Sequence, residues 1–114
     1  MAHLSGNNAV QKLIGRALIS VNVSTDFVRL LFEEGWELVI YNPVTVEASG
    51  IRISLGDGNV LVGKTVAGCV TMPDECLLQL SADVSLRVDL RDEVFVGPEA
   101  MQLIGPAGEI VIWN

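Results

Sequence analysis

Trp36-Glu37-Leu38-Val39-Ile40 and, fifty positions later, Leu86-Arg87-Val88-Asp89-Leu90 both alternate apolar and polar residues. Alternation places successive side chains on opposite faces, so each reads as a β-strand with one buried face. The same shift carries the correspondence outward. Val28, Leu30 and Phe32 fall on Leu78, Leu80 and Ala82; Val44 and Val46 fall on Val94 and Val96. Ile51 and Ile53 fall on Met101 and Leu103, and Val60 and Val62 on Ile110 and Ile112. Gly58 falls on Gly108. The opening of each half matches at forty-eight instead, Leu13-Ile14-Gly15-Arg16 against Leu61-Val62-Gly63-Lys64, which implies a two-residue insertion near Met72-Pro73.

Breakers separate the alternating segments. Glu34-Gly35, Asn42-Pro43, Pro73-Asp74 and Gly105-Pro106-Ala107-Gly108 mark turns, and Gly56-Asp57-Gly58-Asn59 reads as a hairpin because Gly and Asn tolerate positive φ. The pattern places strands near 17–23, 27–32, 36–41, 44–48, 51–55, 59–71, 76–81, 84–91, 94–96, 100–104 and 109–113, the sixth bending at Gly63. One short helix fits Asn7 to Ile14, with Asn8 as its cap. Many short strands with regular turns predict an all-β fold, a small sandwich or barrel of two similar halves, about 15–62 and 63–113, within a single domain over residues 1–114. The expected core includes Val28, Leu30, Trp36, Leu38, Ile40, Leu78, Leu80, Leu86, Val88, Leu90, Leu103, Ile110 and Ile112.

Composition narrows function by exclusion. Half of the 114 residues are hydrophobic and only 18% are charged, so the chain has the apolar material for a core and is not of the disordered class. No apolar run approaches the ~18 residues of a membrane span, and Met1 to Asn8 carry no export signal. The expected compartment is therefore the cytoplasm, with no membrane association. Fourteen acids against seven bases, a net charge of −7, argue against nucleic acid and favour a basic partner.

His3 is the only histidine, so histidine-dependent nucleophile systems and zinc sites lack parts. No catalytic residue, metal or cofactor is assigned. Cys69 and Cys76 flank the Pro73 turn and read either as a redox pair or as two small buried residues. Trp36 and Trp113 read either as stacking platforms or as core plugs. The acids cluster. Asp74 and Glu75 with Asp89, Asp92 and Glu93 form the expected partner-binding group; Glu33, Glu34 and Glu37 form the alternative. Solvated polar faces would carry the same residues.

Gly35-Trp36-Glu37-Leu38, Leu61-Val62-Gly63-Lys64-Thr65-Val66 and the stretch from Glu99 to Trp113 (EAMQLIGPAGEIVIW) resemble a family of small bacterial proteins. That family carries GW-x-L, LxGxxV and EAW-x-L-x-GP-x-G…GE-x-x-x-W segments; here Met101 stands where it usually has Trp, and the last hairpin is shorter. These are strand and turn markers, and they carry no catalytic residue onto the chain. Proteins of this size, charge and class are similar to the immunity proteins of polymorphic and contact-dependent inhibition toxins. The resemblance implies a non-enzymatic binder that neutralises a cognate toxin domain, such as a basic nuclease, by covering its active site. A small-ligand-binding or assembly-forming β-barrel is the alternative.

Overall fold

The computed structural model describes residues 9–54, 61–81, 83–94 and 99–113, without the side chain of Asp92. Ten strands form two antiparallel sheets. In chain order they are β1 (Leu18–Val23), β2 (Val28–Phe32), β3 (Glu37–Ile40), β4 (Val44–Ala48), β5 (Ile51–Ile53), β6 (Gly68–Thr71), β7 (Glu75–Gln79), β8 (Val84–Asp89), β9 (Met101–Ile104) and β10 (Ile110–Trp113). Sheet I has the order β1-β2-β3-β9-β10 and sheet II the order β5-β4-β8-β7-β6. The fold is all-β as expected, and of the two forms expected, sandwich or barrel, the two sheets form the sandwich. Among the described residues, helical structure is limited to short 3-10 turns; the N-terminal one spans Val10–Leu13, with Ala9 at its start. The expected cap Asn8 lies outside the described residues, as do the hairpin at 56–59, the strand residues 59–60 and residues 95–96.

Read from its other end, sheet II runs β6-β7-β8-β4-β5. That is sheet I with each strand replaced by the one five places along the chain. Each half therefore contributes three strands to one sheet and a closing hairpin to the other. The registers agree in detail. Leu30 pairs with Leu38 as Leu78 pairs with Leu86, and Val21 pairs with Leu30 as Cys69 pairs with Leu78, an offset of forty-eight throughout. Turn hydrogen bonds repeat at the same offset: Ser24 N to Phe27 O and Met72 N to Glu75 O, Phe32 N to Trp36 O and Leu80 N to Val84 O.

The expected fifty-residue offset and the insertion at Met72-Pro73 are therefore incorrect. Forty-eight and fifty are both even, and a period of two cannot distinguish them. The extra residues lie after β8. The bond from Tyr41 N to Ala100 O corresponds to that from Asp89 N to Pro43 O, so the second half spends nine more residues before its closing hairpin. Asp74 consequently has a counterpart, Asp26, while Asp92 and Glu93 fall in the added segment.

A seam joins β1 and β6 across the two sheets. Ala17 bridges Thr65, its own counterpart. Gly15 N donates to Val66 O at 2.8 Å and Gly63 N to Leu18 O at 2.7 Å; Leu18 N donates to Lys64 O at 2.9 Å and Val66 N to Arg16 O at 3.0 Å. Each bond is repeated with its halves exchanged, as a two-fold relation through Ala17–Thr65 requires. The turns need positive φ, which glycine adopts without cost: Gly15 is at 87° and Gly63 at 88°. The expected long strand through Gly63 is broken for this reason, and β6 begins at Gly68.

The core fills the space between the sheets. Leu30, Leu38, Ile40, Met101 and Leu103 of sheet I face Val46, Cys76, Leu78, Leu86 and Val88 of sheet II, all nearly inaccessible. Nine expected core residues are buried, among them Trp36 and Leu80, while Val28, Leu90 and Ile112 are half-buried. Ile110 is 59% exposed, against expectation. Ile110-Val111-Ile112-Trp113 is apolar at every position, so alternation cannot say which face turns inward. The register decides, placing Val111 opposite Leu103 and Trp113 opposite Met101.

Candidate protein-binding surface

The Pro73-Asp74 turn and the end of β8 meet at one corner of sheet II. Leu90 N donates to Asp74 O at 2.9 Å, which holds the turn against β8. Register places Glu75 opposite Asp89 and Leu77 opposite Arg87. Thr45, Asp74, Glu75, Arg87, Asp89 and Arg91, with Val88, line an open cleft of about 250 Å³. The expected group is thus brought together in part. Asp74, Glu75 and Asp89 share the cleft. Glu93 reaches it through Arg91, at 3.7 Å. Asp92 contributes a backbone position in the 3-10 turn Asp92–Val94.

Arginines divide these acids. Arg87 lies 3.8 Å from Glu47 and 3.7 Å from Glu75. Arg91 donates from Nε and Nη2 to the Asp89 carboxylate at 3.0 and 2.7 Å, and its backbone N–H donates to the same group at 3.0 Å. The surface is an alternation of charges with an acidic excess. Arg87 stands beside Glu47 only because β4 pairs with β8 from the other half of the chain, a neighbourhood that local pattern does not reveal.

The Arg91 hydrogen bonds hold the Asp89 carboxyl below its ordinary range, and the same bonds raise Arg91. A depressed carboxylate pKa adds stability above the unfolded value, and that stability is lost as pH falls through the folded one. The Asp89–Arg91 tie should therefore persist through neutral pH and release only as pH falls below the ordinary aspartate range. In an NMR titration, the Asp89 carboxyl midpoint should lie below the ordinary aspartate value, and Arg91→Gln should return it toward that value. An unshifted wild-type midpoint would count against this geometry.

The alternative acids are separated and engaged. Glu33 accepts a hydrogen bond from Ala17 N at 2.8 Å, and Glu34, at φ 65°, pairs with Arg16. Both brace the seam. Glu37 lies elsewhere, on the outside of sheet I, 3.1 Å from Arg29. Lys12 and Arg16 cover the Trp36 ring at 5.7 and 5.4 Å from its centroid, and Trp36 is 8% exposed, so it acts as a core plug. Trp113 is buried too.

Cys69 and Cys76 are free and buried on adjacent strands, Cys69 opposite Leu78 and Cys76 opposite Thr71. Burial pushes the Cys76 thiol up to about 12 and raises Cys69 as well, so both stay protonated and poorly nucleophilic at neutral pH. Among the described residues no group of His, Cys, Asp and Glu is placed to hold a metal ion, and no helix is long and apolar enough to cross a membrane. A second cleft, about 360 Å³, is open and lies on the same sheet between Glu47, Ser49, Gln79 and Asp83. Compared with known proteins, the chain matches no family model, no curated protein and no solved structure.

Proposed function

We propose that the protein is a non-enzymatic binder, an immunity protein that acts in the bacterial cytoplasm and neutralises a cognate toxin domain by covering a basic active-site surface with the charged corner of sheet II. One observation carries this reading. Asp74, Glu75 and Asp89 converge on an open cleft, whereas the equivalent corner of sheet I carries Asp26, Phe27 and Tyr41. The repeated scaffold is thus built with or without this charge. Asp89 is preorganised by Arg91, while among the described residues Asp74 and Glu93 have no such bidentate partner. An acidic excess on a rigid corner steers a basic protein into register and accelerates its association.

The test begins with the gene adjacent to that for this chain, where a large secreted protein with a variable C-terminal domain is expected; that domain is the partner to use. Co-expression should restore growth and yield a complex of the two chains. Reversing Asp74, Glu75 and Glu93 to Lys should slow association at low salt by about tenfold or more and flatten its salt dependence, with folding unchanged. Absence of a complex, or association indifferent to these reversals, would overturn the reading.

A further inference from the structure

The internal two-fold relation provides a control for every surface position, since each outward side chain of sheet I has a counterpart on sheet II. Register fixes the pairs. Leu31 and Ile104 flank Glu37 as Gln79 and Glu47 flank Ser85. Val39 stands between Arg29 and Gln102 as Arg87 stands between Leu77 and Thr45. Ile110 pairs with Ile104 as Arg52 pairs with Glu47. Phe27 and Tyr41 correspond at the same offset to Glu75 and Asp89.

Six apolar residues on the outside of sheet I therefore occupy places where sheet II carries Glu, Gln, Arg or Asp. The exchange runs the other way at Leu77 and Val70, which stand where sheet I has Arg29 and Asn22. The scaffold tolerates a polar residue at all six places, charged at five of them, so folding does not demand that they be apolar. Ile110 is 59% exposed, Leu31, Tyr41 and Ile104 are half-buried, and Val39 at the centre is 7% exposed although it lies outside the inner core. Apolar patches that the fold does not require mark interaction surfaces.

We propose that this outer face of sheet I is a self-association surface, which packs against the same face of a second copy of the chain. Charge selects that occupant. The chain carries −7 overall, so two copies repel unless they meet where charge is balanced. On this face Arg29 and Glu37 neutralise each other at 3.1 Å, and Glu99, hydrogen-bonded by the neutral Gln102 side chain, keeps its single negative charge. A basic partner finds its complement on sheet II instead. A two-fold axis through the patch brings each Arg29–Glu37 pair toward its copy with opposite charges available to exchange, and sheets pack face to face through such apolar layers. Five strands about 4.8 Å apart and about five residues long present roughly 400 Å² per copy. That is about half of a standard interface per partner, so the association is reversible and concentration-dependent.

Sedimentation equilibrium on the full chain, from low to high micromolar concentration, tests this. The wild type should show a monomer–dimer equilibrium. Ile104→Glu with Ile110→Arg transplants the residues of sheet II onto sheet I and should weaken the dimer at least about tenfold. Ile110→Arg alone, at an exposed position, should weaken it in the same direction with an unchanged far-ultraviolet circular dichroism spectrum, which separates loss of contact from loss of fold. Arg87→Glu on the opposite sheet should leave the dimer intact. A wild type that stays monomeric throughout, a transplant that dimerises as before, or a dimer dissolved by Arg87→Glu would each overturn the proposal.

Discussion

Trp36→Ala should cost about 3–5 kcal/mol of folding stability, the range for truncating a large buried aromatic. Trp36 is 8% exposed and sits where the turn after β2 enters β3, its carbonyl accepting from Phe32 N at 2.8 Å. The indole also carries Lys12 and Arg16 on its ring. Each such cation contributes about 0.5–1 kcal/mol at a partly exposed site. Arg16 in turn contacts Lys12 O and Glu34, and Glu34 adjoins Glu33, which holds Ala17 N. Removing the ring therefore empties core volume and loosens one side of the seam. Small domains hold only about 5–15 kcal/mol in total, so the variant should unfold at much lower urea concentration. Trp36→Phe keeps most of the apolar volume and should recover more than half of the loss. An alanine variant within about 1 kcal/mol of wild type would show that the ring is not the plug described.

How much of this was legible in the sequence follows from what alternation encodes. Period two distinguishes strand from helix and inside from outside wherever polar residues interrupt. Leu86-Arg87-Val88 was therefore read correctly: Arg87 is exposed while Leu86 and Val88 are buried. It is silent where every residue is apolar, as in β10, and the inner face there went to Val111 and Trp113. It is silent too about even offsets, so the expected shift lies two residues out of register at β1–β3 and also misses the nine added residues before the second closing hairpin. Gly15 and Gly63 carried the true offset, since a positive-φ turn is a position and not a period. The acidic groups were legible as residues but not as a site. Their neighbours Arg87 and Glu47 come from strands some forty residues apart, paired only by the exchange of closing hairpins between the halves. The apolar outer face was invisible for the same reason, since Val39 and Ile104 stand out only beside Arg87 and Glu47, their equivalents.

Leu38→Ala and Leu86→Ala should each cost about 2–5 kcal/mol, and by nearly equal amounts. The two leucines are equivalent under the internal two-fold, one in the central strand of each sheet, and both are fully inaccessible. Leu38 is flanked by Leu30 and Leu103, Leu86 by Leu78 and Val46. These cross-strand neighbours differ by a single methylene, Leu103 against Val46. That makes the space around Leu86 slightly more open to collapse and its truncation the cheaper of the two. Large-to-small losses combine a transfer cost with a cavity cost set by how far the surroundings relax, and central strands pinned on both sides relax least. The double variant decides how the core is built. Both side chains face the same layer between the sheets, so if they share one cavity the combined loss should differ from the sum by more than about 0.5 kcal/mol; if each sheet packs its own cluster the losses should add. The continuous inner cluster that includes both leucines favours coupling. Urea denaturation of the two single variants and the double variant measures this directly. Single losses that differ by more than about 2 kcal/mol would mean that the halves share a topology without sharing a core.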